Sequence, residues 1–220
     1  MKISVAIDGP AGAGKSTIAK ILGERFDLMY INTGAMYRAV TLMAQRNNIP
    51  PTNIAEVKQL VEGLEMHFEG ERLIVNSEDI SDLITLPEIS NNVSNYAAIP
   101  EVREILVMLQ KNISKKYNVV MDGRDIGTVV LKDAPFKFYL TASAEERANR
   151  RYNELKLKGI EVEYNNILDE IIKRDYIDMN REVTPLVKAE DAIEIDSSNL
   201  SIHEVVDVMA QYVKNSLIQE

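Results

Sequence analysis

Gly9-Pro10-Ala11-Gly12-Ala13-Gly14-Lys15-Ser16 fits the pattern G-x-x-x-x-G-K-[ST] in full. Its flanks fit as well. Ile3-Ser4-Val5-Ala6-Ile7 before it is a short apolar run that reads as a buried parallel strand, and Ile18, Ile21, Leu22 and Phe26 behind it recur at helical spacing. Small residues let successive backbone N–H groups close around phosphate oxygens, and the following helix turns its positive end toward the same anion. In such a loop Lys15 bridges the terminal phosphates and the Ser16 hydroxyl ligates Mg²⁺. The stretch predicts a site for a nucleoside triphosphate.

Outward from the loop, strands alternate with helices. Leu28–Ile31, Val119-Val120-Met121, Phe136–Leu140 and Ala192–Ile195 are further candidate strands. Val102, Ile105, Leu106 and Leu109 mark a helix that Pro100 is placed to start. Ser143/Glu146 and Ser201/Glu204 are capping-box signatures for two later helices. This order predicts an α/β fold with a mostly parallel sheet covered on both faces. One stretch breaks it. Leu64, Met66 and Phe68, then Glu69-Gly70-Glu71, then Leu73 and Val75 read as a hairpin around Gly70. With the Ser- and Asn-rich Pro87–Pro100 segment beyond, residues 62–98 are expected to form a small inserted subdomain.

Composition narrows the class. A length of 220 residues suits one domain, or one with an insertion. A hydrophobic share of 45% with 27% charged residues argues against disorder. The net charge, 25 − 34 = −9, makes sequence-independent nucleic-acid binding an unexpected role. No apolar run is long enough to span a bilayer, Asp8 and Gly9 interrupt the one run placed to open a signal peptide, and cysteine is absent. The expectation is a cytoplasmic protein, free of membrane and nucleic acid, acting as a monomer. No N-K-x-D string for guanine follows the phosphate loop.

Eight of the eleven arginines fall in segments able to face one cleft: Arg38, Arg103, Arg124, Arg147, Arg150, Arg151, Arg174 and Arg181. Fixed cations are the main tool of phosphoryl transfer, and arginine's planar fork binds phosphate through two bonds at once. Arg147, Arg150 and Arg151 share a helical face, although the pairs Glu146–Arg150 and Arg150–Glu154 make a solvated face an equal reading. Asp122-Gly123-Arg124-Asp125 follows a strand, where ligands of open α/β sheets bind and where an ordinary polar loop would also sit. Arg174, Asp178 and Arg181 are spaced for one face, or for an intrahelical ion pair. His67 and His203 lack partners for catalysis or metal binding and read as structural.

Gly-Pro-Ala-Gly-Ala-Gly-Lys-Ser-Thr at 9–17, Thr-Gly-Ala-Met-Tyr-Arg at 33–38 and Asp-Gly-Arg-Asp-Ile-Gly-Thr at 122–128 together resemble the bacterial cytidylate kinases. Arg150-Arg151 and the run from Lys173 to Arg181 extend the match over nearly the whole chain, insertion included. The resemblance implies transfer of a phosphoryl group from ATP to CMP or dCMP with Mg²⁺. It implies a P-loop three-layer fold with a five-stranded parallel sheet, a monophosphate-binding region and a mobile helical lid at about 148–163. It implies ATP contacts from Gly9 through Thr17. Arg38, Arg124 and Arg181 would grip the CMP phosphate near Thr33, which stands where serine is common and keeps the hydroxyl. Arg174 and Asp178 would meet the ribose, and Ser94, Arg103 and Asp125 the base. Arg150 and Arg151 would close from the lid, joining Lys15 and Arg124 in catalysis. Cytosine offers a donor at N4 and acceptors at N3 and O2, which a carboxylate and an arginine complement. A kinase for another small acceptor such as UMP, and a nucleotide-dependent switch, are the alternatives.

Overall fold

Val5, Ala6 and Ile7 leave β1 (Ser4–Asp8) apolar on both faces, so the strand needs cover above and below and takes the centre of a sheet. The computed structural model describes residues 2–218. Its main sheet is five-stranded, all parallel, in the order β2 (Met29–Asn32), β6 (Val119–Gly123), β1, β7 (Phe136–Thr141), β8 (Ile193–Asp196). One face packs Val5, Ile7, Val120, Phe138 and Leu140 against α1 (Lys15–Phe26) and α8 (Ile202–Ile218). The other buries Ala6, Ile31, Val119 and Met121 with Ile126 and Val130 from a wide π-type turn, Ile126–Val130. These layers are the α/β fold expected.

Two strands start one residue late. Asp27 ends α1 in a left-handed conformation, φ 53°, and spends the Leu28 N–H on the Gly23 carbonyl. Ala192 is likewise used in a turn, its N–H bonding the Ala189 carbonyl. Strand β6 runs on to Gly123, two residues further than expected, which carries Asp122 into the sheet's carboxyl edge. The Ser201 and Ser143 hydroxyls accept from the Glu204 and Glu146 N–H groups; the box closes in full at Ser201, whose N–H donates to Glu204, whereas the Ser143 N–H donates to the Ser198 hydroxyl instead.

Between β2 and β6 the chain builds a second core. It contains α2 (Thr33–Arg46), α3 (Ile54–Glu62), the strands β3 (Met66–Glu69), β4 (Arg72–Val75) and β5 (Glu78–Asp79), then α4 (Pro87–Ala97) and α5 (Pro100–Ser114). The hairpin turns at Gly70-Glu71, with Gly70 at φ 62° as a first turn position of this kind requires. β5 was not foreseen: Asn76 and Ser77, both at positive φ, fold a second two-residue turn without the usual glycine. Leu73, Val75 and Ile80 pack on Ala35, Ala39, Leu42 and Met43 of α2. Helix α4 hides in the Ser- and Asn-rich segment, with Ile89, Val93, Tyr96 and Ala97 buried at helical spacing and Pro87 at its first turn. Helices α6 (Ala144–Leu157) and α7 (Tyr164–Asn180) pair around Ala148, Leu155, Ile167 and Ile171. No helix among the described residues is long and apolar enough to cross a membrane.

Candidate active site

The phosphate loop joins β1 to α1. Gly9 has φ 149°, and a Cβ there would lie 1.9 Å from the Leu140 carbonyl oxygen, so only glycine lets the loop leave the sheet. Lys15 is buried, and its Nζ donates to the Pro10 carbonyl at 2.6 Å. Burial and the nearby Arg124 push its pKa well below the lysine range, with Asp122 and Asp8 opposing. Ser16 Oγ donates to Asp122 Oδ2 at 2.9 Å, and the Tyr30 hydroxyl donates to Asp122 Oδ1 at 2.9 Å. Thr33 Oγ1 donates to the Asp122 carbonyl at 2.7 Å. Mg²⁺ takes hard oxygens, commonly one or two carboxylates with water and phosphate oxygens completing the shell. Ser16 and Asp122 fit that ion. No other cluster suits a metal better, since no group of three or more His, Asp or Glu side chains able to hold one occurs among the described residues.

A cleft of about 1070 Å³ runs from this loop past the carboxyl edge of the sheet, and the expected CMP residues line it. Arg38 from α2 lies over Gly34, where a Cβ would stand 3.1 Å from its Nη1. Burial lowers its pKa, against the pull of Asp122 and with Arg124 and Arg151 adding repulsion. Arg124 Nε donates to Asp178 Oδ2 at 2.8 Å, and Ser94 Oγ donates to Asp178 Oδ1 at 3.0 Å. Burial works to raise the Asp178 carboxyl, yet Arg124 and Arg174 hold it below the usual range. Arg174 has a buried Nε with no partner, and burial together with Arg124 lowers its pKa to about 10. At the far end Asp125 pairs with Arg103 and lies 3.9 Å from Arg181, while Arg103 stacks 5.2 Å from the Tyr37 ring centroid. Ser94, Arg103, Asp125, Asp178 and Arg181 are all buried. One cleft thus joins the phosphate loop, a group of arginines and, beyond them, the Arg103–Asp125 pair.

The arginines of α6 divide. Arg147 is buried, its Nη2 paired with Asp175 at 2.7 Å and its Nη1 donating to the Ala11 carbonyl at 2.9 Å. It braces the phosphate loop and is buried rather than solvated. Arg150 lines the cleft alongside Arg151. Its Nη1 and Nη2 donate to the Ser197 hydroxyl and carbonyl at 3.1 and 2.6 Å, and its Nε to Glu146 at 3.0 Å, so it ties α6 to the β8–α8 loop. Arg151, near enough to Arg38 to depress its pKa, holds only Glu154, at 2.9 Å.

A family model described as cytidylate kinase matches residues 5–215. The chain belongs to the cytidylate kinase family. A cytidylate kinase of Clostridium acetobutylicum is 64% identical over 217 residues, covering 99% of this chain and 100% of its own length. One of Clostridium botulinum is 61% identical over 214 residues, 97% of this chain and 99% of its own. Among solved structures, a shikimate kinase of Bacteroides thetaiotaomicron superposes with a TM-score of 0.50 at 12% identity over 99% of both chains, a likeness of fold.

Within this member of the cytidylate kinase family, four groups that line or support the cleft had no individual role legible in the sequence. Asp122 bridges Ser16 and Tyr30, and its signal was an acid closing an apolar strand. Asp8 accepts from the Ile126 and Gly127 N–H groups at 2.8 and 2.7 Å, binding the phosphate-loop strand to the loop that carries Arg124 and Asp125. Ser197 and its neighbours wall the cleft beyond the phosphate loop. Thr184 holds Arg103 and Arg181.

Proposed function

We propose that this enzyme transfers the terminal phosphoryl group of ATP to CMP or dCMP, giving ADP and CDP or dCDP. Membership of the cytidylate kinase family supports the reading. The observation that carries it is a single cleft in which the phosphate loop faces a second group of cations that ends in Arg103 and Asp125. ATP lies with its phosphates in Gly9–Thr17. CMP lies with its phosphate among Arg38, Arg124 and Arg181 near Thr33, its ribose at Arg174 and Asp178, and its base at Ser94, Arg103 and Asp125. Arg103 has five N–H donors, of which three are engaged, and Asp125 Oδ1 lies 3.9 Å from Arg181 Nη2, beyond hydrogen-bond reach. The remaining N–H groups and that oxygen match the acceptor edge and amino group of cytosine. Uracil reverses both.

An oxygen of the acceptor phosphate attacks the γ-phosphorus in line as the bond to the β–γ bridging oxygen breaks, and the electron pair leaves with ADP. Lys15 and Arg124 stand where negative charge develops, and Arg151 from α6 completes the set when the cleft closes. Bound Mg²⁺, held through Ser16 and Asp122, supplies further positive charge to the phosphate oxygens. Residues 148–163 act as the lid, and residues 62–98 as the insertion that supports the acceptor site. Arg150 fastens the lid helix to the donor side of the cleft. The protein works as a cytoplasmic monomer. The test is ADP formation from ATP with CMP, dCMP, UMP, AMP and shikimate as acceptors. Turnover that needs CMP or dCMP and is weak with UMP is expected; hydrolysis indifferent to any acceptor would support a switch.

A further inference from the structure

Thr184 has φ 47°, a left-handed backbone that β-branched residues rarely adopt, and Pro185 behind it favours an extended conformation instead. Such strain persists only where the surroundings hold it. Here they do. The Leu186 N–H bonds the Asp178 carbonyl at 2.8 Å, closing the loop onto the end of α7. In that conformation Thr184 reaches two site arginines at once: Arg103 Nε donates to its hydroxyl at 2.5 Å, and Arg181 Nε donates to its carbonyl at 2.8 Å.

We propose that Thr184 is a positioning residue whose hydroxyl sets discrimination between cytosine and uracil by fixing the plane of Arg103. The inference rests on the CMP site proposed above. A plane needs three anchors. Arg103 has Thr184 at Nε, the Ala97 carbonyl at Nη1, 3.0 Å away, and Asp125 at Nη2. Without the first, Nε is held only through its own Cδ, and the guanidinium is freer to turn about the Cδ–Nε bond against two hydrogen bonds and the Tyr37 ring beneath. The N–H groups left for the base then lose their aim. A misaimed fork forfeits the matched base, while the mismatched base, never well bonded, loses little.

The experiment compares kcat/KM for CMP and UMP, and KM for ATP, in wild type and in Thr184→Val, Thr184→Ser and Thr184→Ala. Valine keeps the branched shape and deletes the hydroxyl. It is expected to lower kcat/KM for CMP roughly 10-fold, the scale of one hydrogen bond to a charged group, with UMP and the KM for ATP nearly unchanged. Serine restores the CMP:UMP ratio. Alanine makes the same comparison if the valine variant folds poorly, and thermal unfolding separates folded loss from kinetic loss. A wild-type ratio in the valine and alanine variants, or a serine variant that behaves like valine, overturns the proposal. A wild type that ignores CMP overturns the reading of function beneath it, so the two failures are told apart.

Discussion

Lys15 carries a charge that packing does not need. It is buried beside Arg124, its pKa is pushed well down, and its one neutral partner is the Pro10 carbonyl. A buried cation in that position stabilises a bound anion and strains the empty fold. Lys15→Met, close in shape, is expected to lower turnover by about 10²–10³-fold, the scale of losing one fixed donor to developing charge. The midpoint of thermal unfolding stays level or rises. A turnover near wild type in a folded variant would remove Lys15 from the chemistry. This residue was legible in the sequence because its role follows from neighbours a few positions away. The contacts of Thr184 with Arg103 and of Asp122 with Ser16 were not, since the partners are 81 and 106 positions distant. Spacing along a chain carries no signal for contacts that only the fold creates.

Asp8 joins two elements, β1 and the turn at Ile126–Val130, through a carboxylate buried among apolar strands. Burial raises its pKa from 3.8 to about 6, with the Gly127 and Ile126 N–H groups opposing. Between those values the folded protein binds more protons than the unfolded chain, so stability falls as pH rises through the window. The loss is about 3 kcal/mol, complete above pH ~6. Asp178, held low by its arginines, works in the other direction and at lower pH. Asp8→Asn is expected to flatten the unfolding midpoint between about pH 4 and 6. An unchanged slope would show that another group titrates there. The α6–α7 pair offers a second test. Its turn carries an exposed Leu157 and Gly159 at φ 72°, while Arg147 and Arg150 fasten the base of α6. Tryptic cleavage at Lys156 and Lys158 is expected to slow most with ATP and CMP together, and equal rates in all states would defeat a lid there. At this scale the parallel strands were legible as short continuous apolar runs and the hairpin by its alternation about Gly70. Helix α4 was not, because Ser90, Asn91, Asn92, Ser94 and Asn95 mask the apolar period that tertiary packing uses.

Across the molecule, charge is sorted by place. The net charge is −9, yet Lys15, Arg38, Arg124, Arg174 and Arg181 face one cleft. The total spoke against nucleic acid; the separation into an acidic whole and a cationic cleft needed the fold. Lys15, Arg38, Arg174 and Arg181 each have a lowered pKa, burial first and neighbouring arginines among the other causes. Asp122, Asp125 and Asp178 run between them and make the cluster tolerable. The buried cations of the cleft thus repel one another in a way that a bound anion relieves. Sulfate at ten times its Kd contributes about 1.4 kcal/mol, which for a chain of this size is a rise of roughly 3–6 °C in the unfolding midpoint. Sodium chloride at the same ionic strength controls for screening, and millimolar sulfate keeps exclusion effects small. Arg174→Met separates the cleft from the surface. Its Nε lacks a partner, so removing the charge takes away repulsion and abandons no bond at that atom. The variant is expected to unfold at a higher temperature than wild type without ligand, and to gain less from sulfate. If both proteins rise equally with sulfate, the anion acts elsewhere. If the variant is less stable when empty, Arg174 is held by Asp175 and Asp178 more strongly than Arg124 repels it.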